Sequence, residues 1–362
     1  MTQRMVNPQF WRNKNVLVTG HTGFKGAWLC LWLIRMGAKV TGVALLPPTT
    51  PSLFKTVNIG PTLARSVLLD IRDRGKLVRV FRQAKPEIVF HLAAQPLVWD
   101  SYKDPVSTYA INVMGTVNVL EAVRAARSVR AVVNVTTDKC YENVECMRGY
   151  REEDPLGGYD PYSSSKACSE IVTAAYRRSF FHPNEYKVHG VAIATARAGN
   201  VIGGGDWARD RLVPDCIRSL KKGVPVVLRS PNAVRPWQHV LDPLCGYLML
   251  AEKLFSDGAG FASPWNFGPA KKDVATVAEV ADRIVRQWGD GIRVKIALGK
   301  HPHEAGLLML DITKARKELG WRPRLTVTQA LDWTVEGYRA LSKKKDPRRV
   351  ILQQIDRYKD IL

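Results

Sequence analysis

Tyr162 and Lys166 stand four residues apart, one helical turn, so on a helix they share a face. An ammonium near a phenol favours the phenolate, and such a pair can take the proton of a sugar hydroxyl while the carbon gives its hydride to a nicotinamide ring. Thr137, in the triplet Thr137-Asp138-Lys139, supplies a hydroxyl partner for the phenol. Upstream lies a glycine-rich turn, Gly20-His21-Thr22-Gly23-Phe24-Lys25-Gly26. In this order the three motifs describe chemistry that borrows a hydride, removes water and returns the hydride.

These residues need strand ends and helix starts to hold them. Asn15 to Thr19 reads as a strand, the glycine turn follows, and an amphipathic helix runs to about Met36. Further strands are expected at Ala38 to Leu45, Val67 to Asp70, Ile88 to His91, Ala131 to Thr136 and Ala192 to Ala196. Between them fall a long helix after Pro105 that contains Asn112 and another that begins near Tyr162. Strands alternating with helices imply βαβ crossovers and a doubly wound parallel α/β sheet of Rossmann type. The dinucleotide-binding domain is expected over residues 1–200, with a return to it around 236–268. A smaller, less regular substrate domain is expected over 201–362, ending in a charged helical tail from about Lys343.

In the glycine turn the first glycine permits the tight bend, the second admits a pyrophosphate close to the backbone, and the third lets the helix pack on the strand. The helix N-terminus then presents free N–H groups and a positive dipole end to phosphate. No Asp or Glu ends the second strand to grip the adenosine ribose, and no arginine stands there for a 2′-phosphate. The cofactor expected is therefore NAD rather than NADP, loosely held. Asp70-Ile71, closing the third strand, is a candidate adenine contact. Leu92-Ala93-Ala94, after the fourth, are small enough for a backbone lying close to the cofactor.

Composition narrows the class. A chain of 362 residues with 46% hydrophobic content buries a large core. It contains no apolar run of the roughly 20 residues that a membrane span needs, and Met1 to Asn15 lacks the features of a signal peptide, so a cytoplasmic location is expected. The six cysteines are scattered and read as reduced thiols. His301-Pro302-His303 is the one close histidine pair, without further ligands, so no metal site is expected. The formal charge of +21 is spread along the chain without a nucleic-acid-binding signature. It suits a diphosphate-bearing substrate drawn in by a positive field.

With these motifs the chain resembles the extended short-chain dehydrogenase/reductase family over nearly its whole length. Thr137-Asp138-Lys139 resembles the signature of its nucleotide-sugar 4,6-dehydratases, and lysine in third place followed by Cys140-Tyr141 resembles the branch acting on CDP-glucose. Leu156-Gly157-Gly158, Arg197 to Trp207, Arg235 to Val240 and Trp265 to Pro269 agree with that pattern. The resemblance implies that Tyr162 deprotonates the C4 hydroxyl, Lys139 removes the C5 proton and Asp138 protonates the departing C6 hydroxyl. For these roles Lys139 must be neutral and Asp138 protonated, so both must be shifted toward the operating pH by burial and neighbours.

The implied cofactor set is Gly20, Thr22, Gly23, Phe24, Gly26, Asp70, Ile71, Leu92, Ala93, Ala94, Asn112, Tyr162, Lys166 and Arg197. The implied substrate set is Gln95, Asn200, Arg209, Arg235, His239 and Glu304, with a homodimer formed through the helices carrying Asn112 and Tyr162. The chain departs from the family pattern at Trp99-Asp100, where a basic residue is usual, at Val144 to Met147, and at Ile111. Those positions bear on substrate fit rather than on reaction type. The competing readings are a nucleotide-sugar 4-epimerase or decarboxylase of the same fold, which needs no Asp138-Lys139 pair, and a nucleotide-sensing protein without catalysis.

Overall fold

Strands buried at every position, rather than at alternate ones, are those covered on both faces. In the computed structural model, which describes residues 6–271, 273–289, 291–296, 306–342 and 346–361, seven such or flanking strands form one parallel sheet. They are β1 (Asn15–Thr19), β2 (Lys39–Ala44), β3 (Arg65–Leu68), β4 (Ile88–His91), β5 (Ala131–Val135), β6 (Ala192–Arg197) and β7 (Pro264–Asn266). Their spatial order is β7-β6-β5-β4-β1-β2-β3. Chain direction across the sheet therefore reverses at β1, where Thr19 pairs with Val43 of β2 on one side and His91 of β4 on the other. A crevice at the carboxyl ends of strands, at such a switch point, is where open α/β sheets bind ligands.

Alternate residues of each central strand feed two cores. Val16, Val18, Phe90 and Val133 join Trp28, Leu29 and Trp32 of helix α1 (Phe24–Arg35). Leu17, Val89 and Val132 face the other way, onto Leu77 and Phe81 of α2 (Arg74–Ala84) and Val119 and Leu120 of α3 (Gly115–Ala125). The long helix expected after Pro105 is present but interrupted: a helical turn at Pro105–Tyr109 passes through a π-turn at Ala110–Met114 before α3. Strand β3 starts two residues earlier than expected and is largely exposed. As the edge strand it needs only one hydrogen-bonded neighbour, which lets Arg65 and Ser66 into the ladder.

Helix α4 (Pro161–Ser179) starts where Asp160 caps it, its carboxylate accepting from the Ser163 backbone N–H (2.9 Å) and hydroxyl (2.6 Å), with proline in the first turn. Beyond β6 come α5 (Leu212–Lys222), α6 (Leu241–Ser256), α7 (Val277–Trp288), α8 (Val327–Ser342) and α9 (Pro347–Asp360). Short strand pairs, Val201–Ile202 with Gln238–His239 and Val226–Leu228 with Val294–Ile296, tie this part together. Through α6 and β7 the chain rejoins the main sheet.

The charged tail is helical but not a solvated appendage. Ile351, Ile355 and Tyr358, at i, i+4 and i+7, are buried, and the Tyr358 hydroxyl donates to Asp242 of α6 at 2.7 Å. No helix among the described residues is long and apolar enough to cross a membrane.

Candidate active site

The glycine turn is built for close approach. Gly20 has φ +76°, and a methyl group there would lie 2.7 Å from the Ala93 nitrogen; one on Gly26 would lie 2.1 Å from the Gly20 oxygen. Thr19, the last residue of β1, holds the facing loop, its Oγ1 accepting from the N–H groups of Leu92 (3.1 Å) and Ala93 (3.2 Å) and pairing with His91 Nδ1 at 2.7 Å. From His91 a buried polar chain continues through Thr116 (3.3 Å) to Ser169 of α4 (3.0 Å). It couples the turn to the helix that carries Tyr162 and Lys166. Thr22 donates to the Leu45 carbonyl (2.9 Å), and Leu45 and Leu46 stand exposed where an acidic ribose anchor is absent.

Beside the turn opens a cavity of about 980 Å³ whose walls include Phe24, Thr137, Asp138, Lys139 and Tyr162. Thr137 ends the β5 segment, and its hydroxyl caps the short helical turn Asp138–Cys140 while donating to Asp138 Oδ1 at 3.0 Å. The second oxygen, Oδ2, is buried with no hydrogen-bond partner among the described residues. Burial raises the Asp138 carboxyl above its usual range, and Lys139, the Thr137 hydroxyl, Arg235 and Lys25 pull it back only in part. The result is a protonated acid available in the cavity at higher pH than an ordinary carboxyl allows.

Tyr162 and Lys166 lie one turn apart on α4. Burial pushes the Tyr162 phenol up to about 12, against its contact with the Thr137 hydroxyl and the charge of Arg211. Lys166 is engaged with the strand end beside it. Its ammonium donates to the Val135 carbonyl at 3.1 Å, and burial brings it down to about 8 against the pull of Glu170, one turn further on. Glu170 in turn anchors the end of β6 through Thr195 (2.7 Å) and Arg197 (2.8 Å), and the residue after β5 through Thr136 (2.5 Å).

Several expected contacts fall elsewhere. Arg197 is 2% exposed and committed to Glu170, to the Tyr141 hydroxyl (2.7 Å) and to the Glu152 carbonyl (3.0 Å), so its side chain does not reach the cofactor turn. His239 is fully buried, edge-on between Trp28 and Trp333, and burial lowers it to about 3; it is a core residue, not a substrate ligand. Gln95 braces its own loop, bonding Leu97 and Thr108, and Asn112 in the π-turn pins that loop to Ser165 of α4 at 2.8 Å.

Asp70 is gripped by Arg72, with its shortest contact at 2.7 Å, and caps the turn after β3; Ile71 is buried beneath it. Arg209 is exposed away from the cavity. Asp210, in left-handed conformation with φ 59°, reverses the chain so that Arg211 faces inward and pairs with Asp206 at 2.8 Å. Asn200 and Arg235 line the cavity. Glu304, like the His301–His303 pair, lies outside the described residues.

Among the cavity residues that the sequence did not single out are Lys25 and Arg211. Lys25 sits in the first turn of α1 and is brought down to about 8 by burial and by the charges of Arg211 and Lys166. A cation at a helix N-terminus opposes the dipole. That misfit was the legible signal that it serves a site rather than the helix.

Solved structures place this fold among nucleotide-sugar dehydratases and epimerases. DesIV, a dTDP-glucose 4,6-dehydratase from Streptomyces venezuelae with NAD and TYD bound, superposes with a TM-score of 0.75 at 28% identity, over 90% of this chain and 96% of that one. The UDP-glucose 4-epimerase of Thermus thermophilus in complex with NAD gives 0.76 at 27% identity, over 90% and 98%. Within that class, the chain belongs to the GDP-mannose 4,6 dehydratase family, whose model matches residues 17–334. It is 52% identical over 342 residues to the CDP-glucose 4,6-dehydratase of Salmonella typhimurium, covering 94% of this chain and 95% of that protein.

Proposed function

We propose that the chain is an NAD-dependent lyase that converts CDP-D-glucose to CDP-4-keto-6-deoxy-D-glucose and water. The observation that carries this reading is the buried Asp138 carboxyl, raised and with one oxygen unpartnered, next to Lys139 in the cavity that holds Tyr162. An epimerase has no use for such an acid–base pair. The likeness to the Salmonella enzyme supports the choice of cytidine nucleotide.

The residues present fit NAD. Gly20 and Gly26 pack the turn tightly against the Ala93 backbone and the start of α1, Gly23 keeps the backbone bare where a pyrophosphate would lie, and no side chain caps the first N–H groups of α1. The turn from Gly20 to Gly26 would hold the phosphates, with the Leu92-Ala93 backbone beside them. When bound, NAD+ supplies the acceptor for the C4 hydride and its donor to C6, and its positive ring favours the Tyr162 phenolate.

The protein's own groups then move protons. Tyr162 Oη, hydrogen-bonded to Thr137, takes the proton of the C4 hydroxyl as that carbon is oxidised. The ketone acidifies C5, whose proton passes to Lys139 Nζ. Asp138 gives its proton to the C6 hydroxyl, which leaves as water. A proton returns to C5 as C6 is reduced, so NAD+ is regenerated. Arg211 and Arg235, on the cavity wall, bind the diphosphate.

The same reading takes residues 1–200 with the return through α6 and β7 as the cofactor part, and the rest from 201 as the substrate part. It also takes the protein to be a cytoplasmic homodimer in deoxysugar synthesis for lipopolysaccharide O-antigen. Exposed Val106, Met114 and Ile171, on the helices flanking Asn112 and Tyr162, support the dimer.

The test is mass spectrometry of CDP-glucose incubated with the purified enzyme, with and without added NAD+, beside dTDP-, UDP- and GDP-sugars. Loss of one water from CDP-glucose is expected, faster with added NAD+. A sugar nucleotide that changes without change of mass, or none that loses water, overturns the assignment.

A further inference from the structure

The cavity extends past the acid–base pair to a rim shared by two distant parts of the chain. Trp99, in the short helix Val98–Lys103, receives the Arg229 guanidinium 5.4 Å from its ring centroid. Arg229 Nη1 lies 3.4 Å from Asp210 Oδ1. All three line the cavity. The pair is long for a charge-assisted bond, and its side chains keep 31% and 42% exposure, so both heads can turn to a ligand. Both also interact with Asp215 of α5, whereas Arg211 acts on Tyr162, and Arg235, with Lys139 and Lys25, acts on Asp138. Apart from the cations that act on Tyr162 and Asp138, the cavity wall thus carries a second cluster, of a carboxylate, a guanidinium and an indole.

We infer that Asp210 and Arg229 read the pyrimidine base, with Trp99 as its stacking platform, and that they select cytosine. This assignment rests on the CDP-glucose reading above. Cytosine presents an amino donor at N4 beside acceptors at N3 and O2; uracil and thymine present an acceptor at position 4 and a donor at N3. A carboxylate accepts from the N4 amino group, and a guanidinium donates to N3 and O2. Against uracil the same carboxylate meets the O4 acceptor, and a donor is left facing a donor. Trp99 discriminates nothing, because every base has a face to stack. It stands where the family pattern has a basic residue, and it supplies area instead of charge.

The experiment compares kcat/KM for CDP-glucose and UDP-glucose in the wild type and in the Asp210→Asn, Arg229→Gln and Trp99→Ala variants. Calorimetric affinities for CMP and UMP are measured in parallel, so that binding is read even where turnover is lost. Asp210→Asn, whose amide can also donate to O4, is expected to cut the preference for cytidine over uridine by about tenfold to a hundredfold. Arg229→Gln is expected to lower the same ratio. Trp99→Ala is expected to weaken CMP and UMP by similar factors and leave the ratio unchanged. A wild type active on CDP-glucose whose Asp210 and Arg229 variants lose both nucleotides alike, or neither, overturns the base assignment alone. A wild type that dehydrates no cytidine sugar overturns the functional reading beneath it.

Discussion

Gly199 offers the most direct perturbation of the acid. A methyl group at this position would stand 1.6 Å from Oδ2, 2.0 Å from Cγ and 2.5 Å from Oδ1 of Asp138. Because Cγ itself is that close, turning the carboxyl about its own bond does not relieve the clash. The whole group must retreat by more than an ångström. Gly199 is not among the residues with positive φ, so alanine meets no backbone penalty and the disturbance is confined to the acid. A misplacement of about 1 Å costs on the order of a hundredfold in rate. Gly199→Ala is therefore expected to lower kcat for dehydration about a hundredfold, with NAD and CDP-glucose binding retained. The first oxidation needs Tyr162 and not Asp138, so reduced nicotinamide should build up in a single turnover, followed by its absorbance. A variant that dehydrates at the wild-type rate, or that shows no such build-up while dehydration is slowed, refutes the reasoning.

Two further outcomes follow from buried polar groups. Thr19→Val keeps the shape of the side chain but removes the acceptor for the Leu92 and Ala93 amides; a loss of about 1–3 kcal/mol is expected in denaturant melts, with weaker NAD binding, and unchanged values in both would contradict the role given to that loop. Burial pushes the Asp242 carboxyl, which accepts from the Tyr358 hydroxyl and the Arg324 N–H, up to about 7. The folded state therefore holds this proton more tightly than the unfolded chain, whose carboxyl titrates near the ordinary value. Its contribution to stability is fully present below about pH 4 and is lost as pH rises to about 7, by up to about 4 kcal/mol. Asp242→Asn is expected to flatten that part of the stability profile, measured by chemical denaturation across the range; a slope equal to that of the wild type would remove Asp242 as its source.

Local pattern alone determined much of this protein. The apolar runs at 16–18, 88–90 and 131–133 read as covered strands. The glycine spacing after β1 announced a close approach, and the proline and Asp160 before Tyr162 set the start of α4, so Tyr162 and Lys166 share a face by helical period. Those are short-range facts, written within a few residues of the side chains they place.

What the tertiary structure decided are the pairings between residues far apart in sequence. Arg197 and His239 sit in motifs that read as ligands, yet Arg197 neutralises Glu170 inside the core and His239 lies between Trp28 and Trp333, because burial and partners 27 to 211 residues away set their roles. The left-handed residue at Asp210 turned Arg211 inward and Arg209 out, a choice of one backbone angle that no periodicity records. Burial, likewise a property of the whole fold, is what raises Asp138 and lowers Lys25 and Lys166. The residue types for the chemistry are local and legible; the protonation states that make them reactive come from the desolvation that only packing supplies.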